Sequence, residues 1–229
     1  MKVNIYLNYT DKTTEFAVQE LIYYMKRIDC KNDYYLCDKE DSDITLGIKK
    51  GLNEGLANGN LDERIEVNFN KLKGTIYGNN SRAVLLAVYR LLNEMGCCFL
   101  RPGKEYESIP ELSLENINIK LEERPSFRHR GVCIEGADTL KNIIDFIDWL
   151  PKVGYNSFFI QFENPYSFLK RWYEHEFNPY LEKEPFSIEI AQRMSEEIDG
   201  ELEKRKLLHW SYVNILDTKS QTFLCCTSS

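Results

Sequence analysis

A chain of 229 residues with 43% apolar residues, among them 14 Tyr, 12 Phe and 3 Trp, can bury one large core or two modest ones, which excludes disorder. The formal charge of −7 is mixed along the chain, and its short basic clusters, Lys49-Lys50 and Lys204-Arg205-Lys206, make no basic stripe, which argues against a nucleic-acid partner. No apolar run reaches the roughly 18 residues of a bilayer span, and no charged-then-apolar leader follows Met1, so no membrane association is expected and a cytoplasmic setting is.

In chain order, Lys2 to Tyr9 alternates as a strand. Thr10-Asp11 offers a helix cap, after which Phe16, Val18, Leu21, Ile22, Met25 and Ile28 recur at helical spacing. Tyr34 to Cys37 and Ile44 to Ile48 read as short strands, and Gly51 to Asn60 as a loop or weak helix. Ile65 to Phe69 and Lys73 to Tyr77 form a hairpin pattern. Val84, Leu85, Val88, Leu91, Leu92 and Met95 then share a helix face that Gly96 closes. Cys97 to Leu100 and Ile117 to Ile119 supply two further short strands.

The charged run Glu122-Glu123-Arg124-Pro125 separates this region from a simpler one. We expect domains at 1–121 and 122–215, with an irregular tail at 216–229. Beyond the boundary, Gly131 to Ile134, Phe158 to Ile160 and Leu207 to Trp210 are buried-type strands. Helical faces at Leu140–Val153 and Phe186–Lys206 lie between them, giving the β-α-β-α-β opening of a parallel sheet. The second connection carries Tyr166, Trp172 and Tyr173 in what reads as a loop, able to stack on a sugar or to pin the loop. The seven scattered cysteines lack zinc-site spacing and read as reduced thiols, and no phosphate or dinucleotide motif is present, so neither metal nor cofactor is expected.

Gly74-Thr75-Ile76-Tyr77-Gly78, Ser81-Arg82, Leu85 to Tyr89 and Glu94 to Leu100 with Pro102-Gly103 resemble the accessory N-terminal domain of several glycoside hydrolases. Arg124 to Glu135 is similar to the "P-x-F-x-x-R-G" segment leading into the first barrel strand of those enzymes, and Gly154 to Ile160 to their second strand. The families are the family 67 α-glucuronidases, the family 20 hexosaminidases and the domain-of-unknown-function 4838 proteins. The resemblance implies an α/β fold in which an accessory α/β domain precedes an incomplete (β/α) TIM-type barrel. It also implies carbohydrate metabolism, with glycosidic-bond hydrolysis in a full-length parent. An eight-fold barrel takes about 200–250 residues. Pro125 to Ser229 holds about half of that, so the later strands that bear the catalytic carboxylates in those families are absent, and this chain is expected to be inactive. The other open reading is a non-catalytic carbohydrate-binding or assembly module.

Four residues are candidates for binding a carbohydrate or glycoside, and none is assigned as catalytic. Arg130, in its Arg-Gly setting, resembles the family 20 arginine that hydrogen-bonds sugar hydroxyls, and its five-donor fork suits vicinal hydroxyls or a carboxylate; an ion pair with Glu122 or Glu123 is the structural alternative. Glu135 and Gln161 end the first two barrel strands, where barrel sites gather, and His209 lies on the third. Glu163, just past the second strand, is the remaining acid in that location class. An uncovered third strand would be a labile edge, so residues 1–120 are expected to resist proteolysis better than 125–229. The sequence leaves the oligomeric state open.

Overall fold

The computed structural model describes residues 1–38, 42–135, 138–161, 165–176, 178 and 185–211; the side chains of Glu135, Gln161, Pro165, Trp210 and Ser211 fall outside that description. The accessory region runs β1 (Lys2–Leu7), α1 (Lys12–Ile28), β2 (Asp33–Cys37), β3 (Ile44–Ile48), β4 (Ile65–Asn70), β5 (Lys73–Gly78), α2 (Ser81–Glu94), β6 (Cys98–Phe99), β7 (Glu107–Ser108) and β8 (Asn118–Glu123). Its main sheet has the order β2-β1-β3-β5-β4-β8; the first four strands of that order are parallel, and β4 is antiparallel to both its neighbours. The expected weak helix after Ile48 is a single 3-10 turn, Lys50–Asn53.

Period-two patterning decides which face each strand buries: Val3 and Ile5 on β1 and Ile65, Val67 and Phe69 on β4 all turn inward. Each such side chain contributes about 1.5–3 kcal/mol when fully buried. The β4–β5 hairpin is closed by Lys71 and Leu72, both at positive φ (51° and 66°), the geometry of a primed two-residue turn. No glycine supplies that geometry. Leu72 instead buries its side chain in the core, which offsets a left-handed cost of about 1–2 kcal/mol.

Helix α2 is buried nearly all round, from Ser81 through Tyr89 and on to Leu91 and Leu92. A helix of that kind lies between two layers. On one side are the main sheet and α1; on the other is the second region, β9 (Gly131–Glu135), α3 (Leu140–Lys152), β10 (Ser157–Gln161), α4 (Pro165–Tyr173), α5 (Ile188–Arg205) and β11 (Leu208–Ser211). The layers therefore run main sheet, α1 with α2, α3 with α5, and a second sheet β9-β10-β11. Those three strands are parallel and lie in chain order, as the opening staves of a (β/α) barrel do. Ile134, Phe158 and Ile160 bury against Ile143, Ile147 and Leu150 of α3 and Ile198 and Leu202 of α5.

Two sequence expectations change. The second connection is not a plain loop: Phe168, Leu169 and Tyr173 make an apolar stripe on α4, which opens at Pro165 where a missing N–H costs nothing. The main sheet also runs to Glu123, two residues past the expected boundary, because β8 pairs with β4 as far as Ile65↔Glu123. The proposed tail at 216–229 lies outside the described residues.

Candidate functional site

The C-terminal ends of β9 and β10 lie side by side, with Gln161 in register with Glu135. One face of this sheet is committed to the helices through Ile134, Phe158 and Ile160. The other face carries exposed Cys133 and partly exposed Phe159, which are paired. Glu135 is two residues on from Cys133, and Gln161 two on from Phe159. Glu163 lies outside the described residues.

His209 pairs with Phe158 and so shares the helix-facing register of the sheet. Its Nδ1 is 4.0 Å from Asp199 Oδ1 on α5. Burial lowers its pKa and Asp199 pulls the other way, with burial prevailing. The imidazole is thus tied to the helix layer rather than to the face of Cys133 and Phe159.

Arg130 stands at the opposite end of the sheet from Glu135 and Gln161, immediately before β9. Its Nη2 donates to Glu63 Oε2 at 3.0 Å, its Nε to the Gly154 carbonyl at 2.8 Å and its Nη1 to the Phe127 carbonyl at 2.7 Å. The ion-pair partner is Glu63, not Glu122 or Glu123; those two pair with Arg64 and Arg90. The four candidates therefore do not converge on one point. Glu135 and Gln161 form one end of the sheet, and Arg130 belongs to the other.

What does converge is a set of residues from the motifs themselves. Glu63, 1% exposed, accepts from Arg82 Nε at 2.5 Å, from Arg130, and from Asn156 Nδ2 at 2.8 and 3.0 Å. Asn156, fully buried, also donates to the Arg128 carbonyl at 2.7 Å and accepts from Arg130 N at 2.9 Å. Arg82, Arg130 and Asn156 come from three separate stretches that carried the resemblance; the acid joining them, Glu63, carried no motif. Its one signal was an acidic residue beside Asp62 at the start of an apolar strand.

A second buried cluster joins the two regions on their far side. Lys152 Nζ donates to Asp148 Oδ2 at 2.5 Å and to Glu107 Oε1 at 2.7 Å, and Tyr24 Oη donates to the same Glu107 oxygen at 2.9 Å. Arg205 reaches Asp148 Oδ1 at 2.6 Å, pairs with Glu201, and lies over the Phe16 ring at 4.6 Å. Trp149 Nε1 donates to the Phe99 carbonyl at 2.9 Å, and its ring borders both cores. Among the aromatics of the second connection, Tyr173 is buried against Phe186 and Trp172 stacks on His175. Among the described residues no group of three or more His, Cys, Asp or Glu is placed to hold a metal ion, and no helix is long and apolar enough to cross a membrane.

No family model matches the sequence, and no curated protein does. Solved structures match in fold. A GH138 enzyme targeting pectin rhamnogalacturonan II superposes with a TM-score of 0.62 at 14% identity, covering 94% of this chain and 32% of its own. The Streptomyces plicatus N-acetyl-β-hexosaminidase, in complex with Thio-NAglucal, gives 0.57 at 12% identity, covering 93% of this chain and 42% of its own. The GH20 exo-β-N-acetylglucosaminidase of Vibrio harveyi gives 0.54 at 14%, covering 93% and 33%. The chain thus has a glycoside-hydrolase-like α/β fold, spanning about a third of the length of the first of these structures.

Proposed function

We propose that this chain is the accessory domain and opening barrel segment of a glycoside-hydrolase-type protein of carbohydrate metabolism, related to families 67 and 20. One observation carries the reading: three parallel strands in chain order set Glu135 and Gln161 side by side at their C-terminal ends, behind an accessory domain of the matching fold. There a carboxylate accepts from sugar hydroxyls, and an amide both donates and accepts. Arg130 acts from behind by fixing the start of β9 against Glu63, and His209 lies on the helix side of β11, 4.0 Å from Asp199. Cleavage of a glycosidic bond takes two carboxyl groups roughly 5–5.5 Å apart for retention or 6.5–9.5 Å for inversion. Such barrel sites draw on the ends of several strands, so we assign that step to a barrel with more staves than β9, β10 and β11. A cytoplasmic setting belongs to the same proposal and rests on the cysteine pattern.

The test is to incubate the full chain with aryl N-acetylglucosaminide and aryl glucuronide substrates while titrating N-acetylglucosamine and glucuronate by calorimetry. Binding without turnover, weakened about tenfold by Glu135→Gln or Gln161→Ala, supports the reading. Turnover that disappears in Glu135→Gln or Glu163→Gln would place hydrolysis within this chain. No binding of either sugar would sink the proposal.

A further inference from the structure

The segment between the two sheets, Arg124 to Arg130, borders a cleft that the strand-end reading does not use. It encloses about 320 Å³ and is lined by Asp62, Glu63, Arg124, Phe127, Arg128 and His129, among others. It lies at the N-terminal end of the parallel sheet, away from Glu135 and Gln161.

Three features of the lining point to a ligand. First, Phe127 is 74% exposed, the most exposed aromatic among the described residues. Of the other exposed rings, Tyr9, Tyr23 and Tyr35, the last two carry cations, Arg27 and Lys104 over Tyr23 and Lys2 and Lys26 over Tyr35, and all three are less exposed than Phe127. Second, the backbone under Phe127 is bolted down. The Phe127 carbonyl accepts from Arg130 Nη1 at 2.7 Å, and the next carbonyl, of Arg128, accepts from buried Asn156 at 2.7 Å. A bare ring on a mobile loop would cost entropy to use, whereas this one is already placed. Third, the charge is locally reversed in a chain of net charge −7. Arg82, Arg124, Arg128 and Arg130 gather around two carboxylates, Asp62 and Glu63. Glu63 is shared by Arg82 and Arg130, and Asp62 is taken by Arg128 at 2.7 Å. That leaves the guanidinium of Arg124, which makes no ion pair within 4.0 Å among the described residues and acts on Asp62 only from further off.

We propose that this junction cleft binds a saccharide bearing an acidic group, carboxylate or sulfate, with the sugar's apolar face on Phe127 and its anion on Arg124. A ring offers the C–H face of a pyranose an apolar platform, and a guanidinium holds an oxyanion through two parallel N–H donors. Arg128, held by buried Asp62, supplies a further donor for hydroxyls. A neutral sugar would meet the platform but leave the unmatched charge, so the site should discriminate. The cleft is separate from the strand ends and stands whether or not those bind sugar.

The full chain is titrated by calorimetry with trigalacturonate, a sulfated trisaccharide and neutral maltotriose. Binding of either acidic sugar at least tenfold tighter than maltotriose is expected, and the better of the two identifies the acid. Phe127→Ala and Arg124→Gln should each weaken it about five- to tenfold, while Phe127→Trp should retain it. Both side chains project from the surface, so an unchanged melting temperature certifies the fold of each variant. The proposal is overturned if all three sugars bind alike or none binds, if Phe127→Ala binds as the parent does, or if tetraglutamate competes as well as the acidic sugars. Acidic-sugar binding that is lost in Phe127→Ala and kept in Glu135→Gln belongs to this cleft, whereas binding lost in Glu135→Gln and kept in Phe127→Ala belongs to the strand ends and overturns the proposal.

Discussion

At the level of single residues, the carboxylate at the centre of this junction is buried and fully used. Glu63 satisfies two arginines and an asparagine, so its removal strands cations rather than deleting a contact. Breaking one partner of a buried pair costs about 3–5 kcal/mol. Glu63→Gln should lower the urea midpoint by that equivalent without changing the slope, which equilibrium denaturation will show. The vicinal cysteines differ in the same way. Cys97 is buried, and burial raises its thiol to about 12, whereas Cys98 is exposed. Iodoacetamide at pH 8 should therefore label Cys98 and spare Cys97 in a peptide map of the native protein. The pattern of apolar residues placed both cysteines on one short strand; it does not say which neighbour faces the core, because two-residue strands have no period to read.

At the level of elements, helix starts were legible because their chemistry is local. Asp11 caps α1, accepting from Thr14 N at 2.9 Å, while Thr14 Oγ1 accepts from Asp11 N in return. The same carboxylate accepts from Ser81 Oγ at 2.5 Å, tying the start of α2 to that of α1. Asp11→Ala should cost about 1–2 kcal/mol, measured as a shift in melting temperature, and more than a lone cap would because α2 loosens too. Helix α4 was not legible as a helix, since its stripe is brief and reads equally as loop aromatics until Phe186 is brought against Tyr173. Gly78 shows a constraint of another kind: a methyl there would lie 2.4 Å from Val84 N, so strand and helix meet without room for a side chain.

For the whole molecule, the accessory region and the barrel segment are joined by two buried ionic clusters and by Trp149. That joining revises the expectation of a resistant first region and a labile second one. Limited proteolysis should spare the 121–131 segment, and thermal unfolding should show one transition for both regions. Acid and base should each end it. Burial raises the Asp148 carboxyl, yet Lys152 and Arg205 outweigh burial and hold it below its ordinary 3.8. Its stabilisation is present above that pH and is lost as pH falls through the lowered value. Lys152 runs the opposite way: burial lowers it, Asp148 and Glu107 outweigh burial and raise it above 10.5, and its contribution is lost as pH rises past that point. Denaturation midpoints across pH should fall at both edges, and Asp148→Asn should flatten the acid edge.

The sequence by itself determined most of the strands and helices, α4 and β7 excepted, the alternation that ends in parallel strands, and the placing of Glu135 and Gln161 at the ends of the first two of these. Those features follow from periodicity and capping, which act over a few residues. Only the tertiary structure decided that Arg130 serves Glu63 at the far end of the sheet, that His209 answers to Asp199, and that Phe127 is left bare beside a surplus of arginine. Glu63 and Arg130 are 67 positions apart in the chain, and which carboxylate a half-buried guanidinium meets depends on how layers stack, a choice no local pattern carries.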